Sequence, residues 1–152
     1  MNRHLVPAAL ALLGGAAGCE VGDQAAAGPA ESSPACLEAV DHSDLEWIED
    51  NVFAPGCAAF SACHQGSAPS AGGLDLEKGR AADNLIDAPS KVAAGMQLVT
   101  PGDPENSYLL VILGQYGADD PRIDASIGTM PPNGELLCEE KRDAIERWIA
   151  EL

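Results

Sequence analysis

The residue types with the most chemistry in them sit in one stretch, Cys57-Ala58-Ala59-Phe60-Ser61-Ala62-Cys63-His64. A thiol can add to a vinyl group at the edge of a haem, and a histidine directly after the second thiol then brings its imidazole to the iron. Cys63-His64 supplies that adjacent pair. The usual signature of a haem of the c type has two residues between its cysteines; here there are five. The same atoms admit other chemistry. Cys57 and Cys63 can close a small disulfide loop, with haem held by Cys63 alone or absent. They can also join His64 and a methionine in a soft copper site, or the thiols can be purely structural with His64 a bystander.

A second motif lies downstream, Gly128-Thr129-Met130-Pro131-Pro132-Asn133-Gly134. Thioether sulfur is a weak ligand that must be held in place, and proline stiffens the chain beside it. Opposite a histidine, such a sulfur raises the potential of a haem iron and leaves no open position for oxygen chemistry. Met130 is therefore the candidate distal ligand, its plain alternative being a gap-filling core methionine. Met96 is held in reserve, and His42 is a weaker choice.

The chain has five cysteines, and outside the cytoplasm each needs a fate. If Cys57 and Cys63 bond haem and Cys19 is lipidated, Cys36 and Cys138 are left to pair, joining the segment before the first helix to the start of the last.

Few elements are available to position these groups. Ser43 is an N-cap candidate with Glu46 three residues on, and Leu45, Ile48 and Val52 follow at helical spacing, so a capped amphipathic helix is predicted, ended by Pro55-Gly56 just ahead of Cys57. A turn-rich loop follows His64, and then Leu74-Asp75-Leu76 offers two apolar contacts. Residues 79–86 suit a short helix. Asp103 and Pro104 read as an N-cap and first helical position, and Tyr108 to Leu113 as a short buried helix stopped by Gly114. Residues 115–138 have no period and read as a long loop, a length that is usually functional. From Glu139 to Leu152, apolar Ile145, Trp148, Ile149 and Leu152 recur on one face, with Lys141 and Arg142 outward. The expected fold class is all-α, with long loops. Aromatic residues make up only 4% of the chain, so a planar apolar ligand would fill what the side chains do not.

Ahead of this lies a different kind of sequence. A weakly basic start, an apolar run and small residues ending in Gly18-Cys19 predict a signal peptide over 1–18, too short for a confident membrane span. Small residues running into a cysteine resemble the lipobox of bacterial lipoproteins, which implies lipidation at Cys19 and attachment to a membrane; the alternative is an ordinary signal peptide with Cys19 uninvolved. Residues 19–35, rich in Ala, Gly and Pro, read as a flexible tether, and 36–152 as the folded domain. The 24 acidic against eight basic residues, −16 in all, are spread along the chain. With no basic patch, nucleic acid is a poor partner, whereas a basic protein surface fits. No Ser/His/Asp arrangement, phosphate loop or His-x-x-x-His site is present, so a substrate-converting enzyme is not expected.

Taken in order, the first helix, the loop ending Cys63-His64, Gly72-Gly73-Leu74-Asp75-Leu76, Pro101-Gly102-Asp103-Pro104-Glu105-Asn106-Ser107-Tyr108-Leu109, Met130-Pro131-Pro132 and the terminal helix resemble the cytochrome c-like domains of planctomycete and myxobacterial exported proteins. The resemblance covers about residues 43–152, and widened cysteine spacings are similar to what that group shows. It implies covalent haem c on Cys57 and Cys63, His64 as proximal and Met130 as distal iron ligand, and first and last helices packed together. It also implies a carrier of single electrons in the cell envelope, with a redox protein as partner. A haem-free, disulfide-stapled binding module on the same scaffold is the alternative.

Overall fold

The computed structural model describes residues 33–132 and 135–152. The predicted leader, Cys19 and nearly all of the predicted tether lie outside the described residues, as do Asn133 and Gly134. The domain is all-α, built from short helices: α1 Pro34–Leu37, α2 Leu45–Ile48, α3 Ala81–Leu85, α4 Tyr108–Ile112 and α5 Glu139–Ala150. Among the described residues no sheet forms, only isolated bridges joining Ile86 to Val99, Pro89 to Gln97 and Gln97 to Ser107. No described helix is long and apolar enough to cross a membrane.

Helix α1 begins at Pro34, inside the segment read as tether, and passes into a tight turn at Glu38–Asp41. Helix α2 is capped by Asp44, whose carboxylate accepts the Trp47 N–H at 2.8 Å. Ser43, the expected cap, instead donates its hydroxyl to Glu151 at 2.8 Å. Nor do Pro55 and Gly56 end the helix. Beyond Ile48 the winding widens into π-type turns over Glu49–Cys57, and the Ala58 N–H reaches back five residues to the Phe53 carbonyl at 2.7 Å. A proline removes one donor from a helix, and the wider register carries the chain past it, delivering helical backbone to Cys57 itself.

The core lies between this long winding and α5. Ile48, Val52 and Phe53 are buried with Leu85, Val99 and Leu110, and α5 contributes Ala144, Ile145, Trp148 and Ile149. Leu152, expected on the same stripe, is 48% exposed, because the helix stops at Ala150. Lys141 and Arg142 do not simply face outward. Lys141 Nζ donates to the Asn51 carbonyl at 2.8 Å and Arg142 to the Gly114 carbonyl at 2.6 Å, so each ties α5 to another element's backbone. Gly114 itself has a positive φ of 75°, and a Cβ there would meet Leu136 at 3.1 Å, so it can stop α4 only as glycine.

Covalent and polar ties fasten the two ends of the domain. A disulfide joins Cys36 to Cys138, and Arg147 donates to the carbonyls of Ala39 and His42, both at 2.8 Å. The turn before α4 is held by Asp103, which accepts the Asn106 N–H as the sequence predicts, and by buried Ser107, whose hydroxyl accepts the Thr100 N–H at 2.9 Å. Gly102 N–H then bonds the Ile149 carbonyl at 2.9 Å, pinning this turn to the last helix. The described part of 115–138 is a succession of turns, partly held by Arg122. Its guanidinium pairs with Asp120 at 2.7 Å, reaches the Glu105 carbonyl at 2.7 Å and lies 5.2 Å from the ring centre of Tyr116.

Candidate functional site

The widened cysteine spacing is accommodated by a loop that closes on itself. Cys57 ends the wide helical winding, the Cys63 N–H bonds the Phe60 carbonyl at 2.9 Å, and the His64 N–H returns to the Cys57 carbonyl at 2.9 Å. The intervening chain bulges outward, with Ala59, Ser61 and Ala62 exposed and Phe60 70% exposed. Five residues are thus spanned while the backbone ends of the motif stay together. Both thiols are unbonded, so the disulfide alternative for Cys57 and Cys63 is not the arrangement seen.

His64 is clamped on three sides. Besides the bond to Cys57, its carbonyl accepts the Leu76 N–H at 2.8 Å, and its Nδ1 lies 3.3 Å from the Leu74 carbonyl. A carbonyl oxygen can only accept, so this contact requires a proton on Nδ1 and leaves the Nε2 lone pair free, the tautomer that metal-binding histidines hold through a partner on the other nitrogen. Burial lowers the basicity of the ring, and the bond to Leu74 partly opposes it. A neutral imidazole is the form that ligates metal.

These residues open onto a cavity of about 670 Å³, within the range of pockets that enclose a small organic ligand. Its wall includes Cys57, Cys63 and His64 on one segment, Leu74 and Leu76 on the next, Tyr108, Leu109, Ile112 and Leu113 from around α4, and Met130 with Pro131 and Pro132. Met130 is fixed by its own backbone, its N–H bonding the Ile112 carbonyl at 2.8 Å. Two thiols, an imidazole and a thioether drawn from distant parts of the chain therefore share one predominantly apolar cavity. That donor set fits a haem attached through sulfur with nitrogen and sulfur available to iron. The Tyr108 hydroxyl is buried without a hydrogen-bond partner among the described residues, as are polar atoms of Trp47 and Tyr116 away from the cavity wall. Burial, with Asp124 nearby, raises the pKa of the Tyr108 phenol.

Met96 and His42 are not part of the wall. Met96 belongs to a turn in which its carbonyl accepts the Ser90 N–H at 2.9 Å. The His42 ring stacks on Trp47 at 4.4 Å and bonds Asp44 at 3.1 Å, at the entrance to α2. The sequence reading missed the Leu74 carbonyl, whose role is a backbone one; Gly72-Gly73 just before it was the available hint of a special turn. It also missed Lys91, which lines the cavity from a segment with no motif of its own. No family model matches this chain, and no curated protein or solved structure does either.

Proposed function

We propose that this chain is a monohaem c-type electron carrier of the cell envelope with a cytochrome c-like fold. In this reading Cys57 and Cys63 hold the haem by thioether bonds, His64 is the proximal iron ligand and Met130 the distal one. The observation that carries it is the convergence of these four side chains on one apolar cavity, with His64 oriented by the Leu74 carbonyl. When bound, haem supplies an iron that passes between its ferric and ferrous states. The chain's own residues do the rest. Leu74 keeps the proton on Nδ1, the Ile112 carbonyl holds the backbone of Met130, and the apolar wall excludes water, which favours the less charged state of the site. With His64 and Met130 both given to the iron, electron transfer would be favoured over oxygen chemistry.

Lipidation of Cys19 would fasten the protein to a membrane and leave residues 19–35 as the tether. A redox partner with a basic docking surface matches the net charge of −16. A second reading, a haem-free binding module, draws on the disulfide Cys36–Cys138, which staples the domain whether or not the cavity is filled. Intact mass and a pyridine haemochrome spectrum, measured on full-length protein made with a c-type maturation system, separate the two. The electron-carrier reading requires the added mass of one haem and a spectrum of thioether-bound haem; unchanged mass leaves only the module. Met130→Ala should keep the mass, lose the absorption due to thioether ligation and lower the potential.

A further inference from the structure

Among the described residues, Lys91 is the only lysine or arginine on the cavity wall and Asp83 the only carboxylate. Cations are scarce in a chain with 24 acidic and eight basic residues, and the other described ones are committed. Lys78 pairs with Asp50 at 2.6 Å, Arg80 with Asp75 at 3.5 Å and Arg122 with Asp120 at 2.7 Å. Lys141, Arg142 and Arg147 are spent on carbonyls that tie α5 to the rest of the domain. Lys91 has no acidic partner among the described residues; its ammonium donates to the Gly72 carbonyl. An ammonium has three donors, so that bond leaves two.

The place Lys91 occupies is built from both sides. Gly72 and Gly73 have positive φ of 66° and 74°, and a Cβ on Gly73 would lie 3.5 Å from the Lys91 ammonium nitrogen. A Cβ at either position would make only ordinary contact with Lys91, so it is the left-handed backbone presenting the Gly72 carbonyl to the ammonium that calls for glycine. On the other side, the Ser90 hydroxyl accepts the N–H groups of Val92 at 3.2 Å and Ala93 at 2.9 Å, fixing the turn that carries Lys91.

We infer that Lys91, seated on Gly72-Gly73, receives the carboxylate edge of a dicarboxylic tetrapyrrole and so sets which way round the ligand enters the cavity. The inference rests on the haem reading and extends it to the end of the ligand that carries charge. An apolar disc bearing ionised carboxylates suits an apolar cavity only if those groups reach water or a cation, and a protein of this net charge repels them elsewhere. Lys91 is exposed, so it can pair with a carboxylate without either charge leaving solvent.

The test is an absorbance titration of the full chain, without a maturation system, using haemin and haemin dimethyl ester, whose carboxylates are blocked. Lys91→Gln should weaken haemin binding about fivefold, the upper range for a solvent-exposed ion pair, and leave the ester unchanged, with the difference shrinking in high salt. Lys91→Arg should restore most of the affinity. Equal haemin affinity in Lys91→Gln and wild type would overturn the inference while the haem reading stands. So would an equal loss for haemin and ester, which marks a structural effect. If wild type binds neither compound, the inference falls, while the haem reading is decided separately by the added mass on matured protein. Because Lys91 is exposed, the urea midpoint of Lys91→Gln should match wild type.

Discussion

Cys57 is the thiol on which the proposed covalent attachment of haem turns, and its surroundings make it slow. Burial, reinforced by Cys63 beside it, pushes its pKa from an ordinary 9.0 to about 11. Thiolate is the nucleophile. At about pH 8 an ordinary thiol is roughly one-tenth ionised and Cys57 about a thousandth, a deficit of about 100-fold. A more basic thiolate is also more nucleophilic, and a Brønsted slope of about 0.45 returns roughly eightfold. Cys57 in the folded chain should therefore alkylate about tenfold more slowly than an unburied thiol. The assay is iodoacetamide labelling of the full chain across a pH series, read at Cys57 by peptide mass mapping. Its rate should keep climbing to about pH 11 and become ordinary in urea. Cys63→Ser removes the lesser cause, so the inflection should fall only slightly. An inflection near 9, or equal rates with and without urea, would refute the assignment of the shift to burial. Haem attachment at Cys57 is accordingly expected to be faster on the unfolded chain than on the folded one.

Replacing Cys36 and Cys138 together by serine removes a cross-link spanning 102 residues. Chain entropy for such a loop amounts to about 4.7 kcal/mol and measured losses run about 2–5, so urea unfolding should register about 3 kcal/mol. A loss below about 1 kcal/mol would mean that the Arg147 bonds to Ala39 and His42 suffice to join the ends. Glu49 is buried and accepts the N–H groups of Gly79 at 2.8 Å and Ala81 at 3.2 Å, holding the start of α3. Glu49→Gln should cost about 1–2 kcal/mol and Glu49→Ala more, because the Ala81 N–H is then left buried without a partner while that of exposed Gly79 can turn to water; equal urea midpoints for the two variants would contradict this. The Arg122 guanidinium, helped by the Arg122 backbone N–H, holds the Asp120 carboxyl down at about 2, against 3.8 unfolded. A folded value below the unfolded one gives a contribution that is complete above 3.8 and drains away as the pH falls toward about 2. Thermal melts over that window should show the loss, and Asp120→Asn should flatten it; a parallel curve would remove Asp120 from the account.

What the sequence made legible was local, and what it concealed was tertiary. The last helix could be read because its apolar residues repeat with helical period, and the Asp103–Asn106 turn because its cap and proline act within a few residues. The start of α2 was misplaced by one residue because Ser43 is drawn away by Glu151, more than a hundred positions downstream. Its far end was misread because the tolerance of Pro55 depends on a wide register that no periodicity announces. Lys141 and Arg142 looked like solvated charges until the Asn51 and Gly114 carbonyls were seen to take them. The site divides in the same way. Cys57, Cys63, His64 and Met130 were marked by residue type and neighbours, whereas the Leu74 carbonyl and Lys91 gain meaning only from the fold.

The count of residues between two thiols matters less than where the backbone closes. In this chain the closure is the bond from the His64 N–H to the Cys57 carbonyl, at 2.9 Å. It returns the chain to its starting point whatever the bulge between contains, and the residues of that bulge are small or exposed, so few of them compete for the cavity wall. His64 is then fixed by Leu74 and Leu76 rather than by its distance from Cys57. A longer spacing costs loop entropy that rises only slowly with length, and the bond from Cys63 to Phe60, with that from Ser70 in the following loop to Ala62, offsets part of it. The extra residues leave the two thiols and the imidazole on one wall, and their visible consequence is an exposed aromatic, Phe60, between the two cysteines.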